Sequence, residues 1–190
     1  MKWKYGFNLL ANVCFILFFL IALTTIFELI DYIPRIWFPN SDLTKSLGEF
    51  DPIFGNFVIE FDAQPSLYSE QSFLILSFVF TTSLMVLCLL FLWFMRKLLK
   101  NIYKDSLFMY ENVSIIYKLG VTILVFGTAT NYTDQLLSSR MLQTLTITNA
   151  NVQFSNYAYL DAFIGGVVLL LIGAALKHAV SAVEENKHTI

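Results

Sequence analysis

Charge, cysteine and histidine are all scarce in this chain of 190 residues, and each shortage closes off a class of function. Only 14% of the residues are charged and 57% are hydrophobic, where a soluble domain carries about 25% charge. With a mean hydropathy of +0.66, the chain has too little polar surface to cover itself in water. The two cysteines, Cys14 and Cys88, lie inside apolar runs. They offer no disulfide framework and too few donors for a metal centre. The two histidines, His178 and His188, fall at or beyond the end of the last apolar run and suit an interfacial position better than ligation. A net charge of −2 gives no reason to expect direct contact with nucleic acid. The sequence has no phosphate-binding glycine loop, dinucleotide fingerprint, G-x-S-x-G or H-E-x-x-H. Neither catalysis, a cofactor nor a bound metal is therefore expected.

What the chain does have is long apolar runs. Tyr5 to Phe27 is free of charge, and so is Gln71 to Met95. Each exceeds the roughly 20 helical residues that cross a bilayer core. The first is too long for a signal-peptide core and lacks a small-residue cleavage pattern, so it is expected to be retained. Leu119 to Thr133 and Ala162 to Leu176 are shorter and span only by borrowing polar neighbours. The expected fold is an all-α integral membrane protein, a four-transmembrane-helix bundle forming a single membrane domain over 1–190. Its spans lie at about 6–30, 71–96, 114–138 and 157–183, with outer loops 31–70 and 139–156 and inner loop 97–113. Lys2, Lys4, Arg96, Lys97, Lys100, Lys104, Lys118, Lys177 and Lys187 fall on one side, and only Arg35, Lys45 and Arg140 on the other. That asymmetry predicts cytoplasmic N- and C-termini.

The first outer loop is acidic, and its stretch NFVIEFD alternates apolar and polar positions. In the second, Leu145 and Ile147 alternate with threonines, a turn follows at Asn149-Ala150-Asn151, and Val152 and Phe154 come after it. This pattern predicts a small β-rich extracytoplasmic cap; an irregular solvated loop is the alternative.

Two further stretches, DSLFMYENVSIIYKLG and LLIGAALKHAVSAVEENKHTI, carry a family resemblance. Phe108, Glu111, Asn112, Val113 and Gly120, with Glu184, Glu185, Thr189 and Ile190 near the end, resemble the hallmarks of the YoaS-like family of four-span bacterial membrane proteins (domain-of-unknown-function family 2975). Leu107 stands where the family usually has proline. Ser114, Ile115 and Ile116 replace its usual basic residues. The resemblance implies a bacterial cytoplasmic membrane and a possible cytoplasmic helix-turn-helix regulator as partner. It brings no activity and no catalytic residues.

Two candidate sites emerge. At the inner end, Phe108, Glu111, Asn112, Lys100 and Lys104 form a candidate partner surface. The segment from Tyr103 to Lys118 is expected either to lie as a docking helix along the inner membrane face or to cover its own bundle. At the outer end, Asp134 lies sixteen residues above Lys118, and Asp161 sixteen above Lys177 in the antiparallel span. Both carboxylates then stand about 24 Å above the inner lysines, within the outer hydrocarbon. Together with Thr128, Asn131, Gln135, Glu28 and Asp31 they are expected to line a polar vestibule for a cation, a proton or a cationic peptide. The alternative is that span three leaves the membrane near Thr130 and these residues solvate its end. Span four carries Ala162, Gly165, Gly166, Gly173 and Ala174, which suit either a homodimer face or packing within one bundle. The function classes that remain are a sensor or regulator with a cytoplasmic partner, and a small transporter or self-protection (immunity-type) protein.

Overall fold

The computed structural model describes residues 2–55, 61, 63–145 and 157–188. All regular structure in the described residues is helical: α1 (Lys2–Trp37), α2 (Asp42–Ser46), a 3₁₀ turn (Ser66–Ser69), α3 (Gln71–Lys104), α4 (Tyr110–Thr122), a π-helical segment (Ile123–Gly127), α5 (Thr128–Leu142) and α6 (Ala158–His188). Four helical stretches are long and apolar enough to cross a membrane: Lys4–Trp37, Gln71–Lys104, Tyr110–Leu142 and Tyr159–Asn186. The third joins α4, the π segment and α5 into one rod, here called span three.

The spans run longer than expected because lysine and arginine are good helix formers whose stems pack while their heads reach water. α3 therefore continues through Lys97, Lys100 and Lys104 instead of ending at 96. α4 begins at Tyr110, so the inner connection shrinks from 97–113 to 105–109. Among the described residues no separate helix precedes span three in this connection: the Glu-Asn-Val stretch is the first turn of span three itself. The β-rich cap is likewise not supported. No strand occurs among the described residues, and the described parts of the first outer loop are helical or irregular. The hairpin segment from Thr146 to Phe154 and all of NFVIEFD except Phe61 lie outside the described residues.

Each span packs on its neighbour in sequence: α1 on α3, α3 on span three, and span three on α6. No extended contact closes α1 onto α6 among the described residues, so the bundle is open at that seam. α1 exposes Leu9, Ile16, Phe19, Leu23, Ile26 and Phe27. At about 25 cal/mol per Å² such a face is strongly unfavourable in water and costs nothing against lipid tails.

Span three and α6 approach closely along small residues. A Cβ on Gly166 would lie 2.6 Å from Leu124 Cβ and 2.8 Å from its backbone N. One on Gly127 would meet Ala162 at 3.0 Å, and one on Gly173 the Tyr117 ring at 3.2 Å. Three small positions of span four that were open to two readings, Ala162, Gly166 and Gly173, thus pack inside the chain. The closest approach falls on the π segment, where the helix widens locally. Two cores result. The outer one joins Tyr32, Ile36, Phe50, Tyr68, Phe73, Phe80, Leu137 and Met141. The inner one joins Val113, Ile116, Leu176 and Val180.

Candidate functional site

The outer core is held by two charged anchors acting on one loop. Arg35, near the end of α1, forks onto Asp31, with Nη2 to Oδ1 at 2.8 Å and Nε to both carboxylate oxygens at 3.0 Å. Its other donors reach the loop backbone: Nη1 donates to Gly48 O at 3.1 Å, and Nη2 to Leu47 O at 3.4 Å. Gly48 has φ +74°, a left-handed conformation that glycine adopts without a Cβ penalty. The guanidinium also faces the Phe50 ring, 5.4 Å from its centroid. Phe50 leads into an aromatic series: Tyr32 at 5.4 Å, Tyr68 at 6.1 Å, and Phe73 stacked on Tyr68 at 5.5 Å. Burial, and secondarily the Asp51 carboxylate, push the Tyr68 phenol above its ordinary pKa.

The second anchor is Asp134 on α5. It is only 6% exposed, and the Gly55 N–H donates to its Oδ1 at 2.9 Å. A Cβ on Gly55 would stand 2.8 Å from Oδ2, so glycine is what lets the loop backbone lie on this carboxylate. Asn131 and Gln135 are half-buried beside it and, like Asp134, engaged in further contacts. Thr130 and Ser138, one turn to either side of Asp134, are buried with no hydrogen-bond partner for their hydroxyls, and the Thr128 hydroxyl shares that condition. Thr133 instead donates back to Ala129 O at 2.8 Å, the usual resort of a hydroxyl in a helix.

The remaining vestibule candidates do not gather at Asp134. Asp31 is committed to Arg35. Glu28 lines a small cleft between α1 and α3 with Thr25, Tyr32, Thr81 and Thr82. Just above, Tyr32 Oη is 2.7 Å from Ser77 Oγ and 3.1 Å from Thr81 Oγ1. Asp161 is exposed on α6. Nor do Asp134 and Asp161 share a height: Ala162, next to Asp161, lies against Gly127, seven residues and about 10 Å below Asp134. Sequence reasoning missed Gly55, Gly48 and Ser138, and named Thr130 only as the place where span three would leave the membrane. The spacing of Thr130, Asp134 and Ser138 at i, i+4 and i+8 is a legible stripe, whereas the glycines give no side-chain signal.

At the inner corner, Asn112 is fully buried and cannot belong to a partner surface. Its Nδ2 donates to Ser106 O at 2.9 Å and Leu107 O at 3.1 Å, while its Oδ1 accepts from Asn101 Nδ2 at 2.9 Å. It ties the 105–109 turn shut. Lys97 and Glu111 form an ion pair at 3.0 Å beside it. Phe108 is 48% exposed with Leu107 and Tyr110 on the same turn, and Tyr110 Oη lies 3.1 Å from Ser181 Oγ on α6. Lys104 is exposed and Lys100 half-exposed, and the Lys104 carbonyl accepts from Lys4 Nζ at 3.4 Å. The inner surface that remains is thus an aromatic knob beside lysines. Among the described residues no cluster of three or more metal-ligating side chains occurs.

No known family, curated protein or solved structure matches the chain.

Proposed function

We propose that this chain is a multi-pass protein of the bacterial cytoplasmic membrane with both termini inside, and that it acts without catalysis as a sensor or regulator, coupling its outer lobe to a cytoplasmic partner. One observation carries the reading: span three is a single rod with an anchor at each end. Near its top, Asp134 holds the outer loop through Gly55. At its base, Asn112 holds the inner turn that presents Phe108, and Glu111 pairs with Lys97 of α3. A rod fixed at both ends is a direct path by which a change in the outer lobe can shift the inner knob. The resemblance to the YoaS-like family supports a helix-turn-helix regulator as the partner. The exposed Leu107, Phe108 and Tyr110 supply apolar anchors suited to a helical groove.

Pulldown in native detergent tests this. The full chain should retain a soluble partner, and Phe108→Ala should release it. Absence of any soluble partner, together with solute flux in liposomes, would favour the second reading, a small transporter or self-protection protein. That reading draws on the partnerless hydroxyls of Thr128, Thr130 and Ser138 on the helix of Asp134, which suit a cation, a proton or a cationic peptide.

A further inference from the structure

Lys118 does not sit where an inner-interface lysine is expected. The Lys97–Glu111 ion pair fixes a level shared by α3 and α4. Seven residues further along α4, Lys118 stands about 10 Å deeper into the apolar part of the span. It is exposed there, and none of the ion pairs among the described residues involves it. Beside it opens a groove of about 290 Å³ between α3 and α4, lined by Leu90, Phe94, Tyr117, Lys118, Val121 and Thr122. Thr122 Oγ1 is already committed to the Lys118 carbonyl at 2.7 Å, which leaves the lysine as the groove's charged donor. Below it on the same stripe of α4, at i−4, lies exposed Ser114.

A charge facing hydrocarbon costs several kcal/mol unless it finds an anion or reaches water. A lysine stem can turn toward the interface, which would bring the ammonium down towards the level of Ser114. An anionic headgroup drawn in at that height meets the charge, and its tail lies in the groove. We propose that the α3–α4 groove is a binding site for an anionic phospholipid, with an acyl chain between Leu90, Phe94 and Val121 and the headgroup phosphate at Lys118. The occupant follows from the pairing of an apolar groove with one partnerless cation at its rim. A zwitterionic phospholipid would also fill the groove, but the ammonium of its headgroup offsets the phosphate charge offered to the lysine and weakens the pairing. The inference rests on the membrane placement proposed above and is independent of the sensor reading.

Native mass spectrometry of the purified full chain, exchanged into an equimolar mixture of phosphatidylglycerol and phosphatidylcholine, provides the test. The chain should retain phosphatidylglycerol in preference. Lys118→Ala should lower that preference about five-fold, the factor one lysine–anion contact supplies. Leu90→Trp, which fills the groove, should lower retention of lipid, whereas Lys118→Arg and Lys177→Ala should keep the preference. Should Lys118→Ala fail to purify as a single species, Leu90→Trp and Lys118→Arg decide alone. An unchanged lipid ratio in Lys118→Ala, unchanged retention in Leu90→Trp, or an equal loss in Lys177→Ala would overturn the site. Release of the chain from membranes by alkaline carbonate would instead overturn the membrane placement.

Discussion

The Gly55 amide donates to Asp134 Oδ1 at 2.9 Å, joining a loop and a helix 79 residues apart in sequence. Hydrogen bonds to a charged acceptor contribute about 1.5–3 kcal/mol, and a buried partner left unsatisfied costs a similar amount. Asp134→Ala should therefore loosen the outer loop by about that much, while Asp134→Asn keeps one acceptor and loses less. Limited proteolysis between residues 47 and 64 should speed up in that order. Gly55→Ala should behave like Asp134→Ala, because its Cβ would press on the carboxylate at 2.8 Å. A loop as resistant in Asp134→Ala as in the parent would show that this contact does not hold it.

Arg35 organises the same loop from the opposite side, and its geometry separates charge from shape. Lysine at this position keeps the ion pair with Asp31 but lacks the planar fork that also reaches the Gly48 and Leu47 carbonyls. Arg35→Lys should thus destabilise the outer lobe nearly as much as Arg35→Ala. Gly48→Ala should cost about 1 kcal/mol through its φ of +74° alone. Thermal unfolding in detergent would rank the three; full rescue by lysine would mean that only the charge matters.

The four spans were legible in the sequence because apolar run length is a one-dimensional signal. Asp134 was legible as a candidate, a short carboxylate directly after such a run, although the pattern alone left burial and solvation both open. Its partner was not, because Gly55 contributes only a backbone amide. Asn112 shows the reverse failure. Beside a lysine-rich segment it looks solvent-exposed, yet α3 continues to Lys104 and folds the turn back over it. Counting residues from the inner lysines misplaced the two vestibule carboxylates for a related reason: it fixes neither the register of two packed helices nor the face each residue occupies. Asp161, next to Ala162, sits near the level of Gly127, well below Asp134.

Topology gives a direct check on the orientation read from the lysines. A cysteine replacing exposed Asp51 should react with an impermeant maleimide in intact cells. One replacing Lys100 should react only after permeabilisation. Labelling at position 100 from outside would invert the topology, and with it the assignment of the Phe108 knob to the cytoplasm.

Tyr68 ties the outer lobe to alkaline pH. Its phenol is buried, stacked on Phe73 and near Asp51, so the folded state holds the proton more tightly than the unfolded chain does. Stability from this group is complete below the ordinary tyrosine pKa of about 10. It declines as pH rises from there through the raised folded value, because the unfolded state then sheds a proton the folded state keeps. Near-ultraviolet circular dichroism should show the aromatic cluster weakening above that point, and Tyr68→Phe should remove this part of the decline. A variant with the parent's alkaline profile would assign the effect to another group.

Gly166 decides whether the small residues of α6 serve this chain or a second copy. Its neighbour Gly165 shares composition and depth, but an added Cβ there meets only Ile123 Cγ2, at 4.0 Å. At Gly166 the same atom would sit 2.6 Å from Leu124 Cβ and 2.8 Å from Leu124 Cα and N, and backbone atoms cannot rotate aside as a side-chain tip can. The π segment would have to shift away, pulling span three off α6. Overpacking of this kind typically costs about 1–3 kcal/mol. Gly166→Ala should therefore lower the unfolding temperature clearly while Gly165→Ala leaves it near the parent's, with the mass of the detergent-solubilised particle unchanged in both. A Gly166→Ala protein of parental stability but altered particle mass would place the stripe between two copies instead.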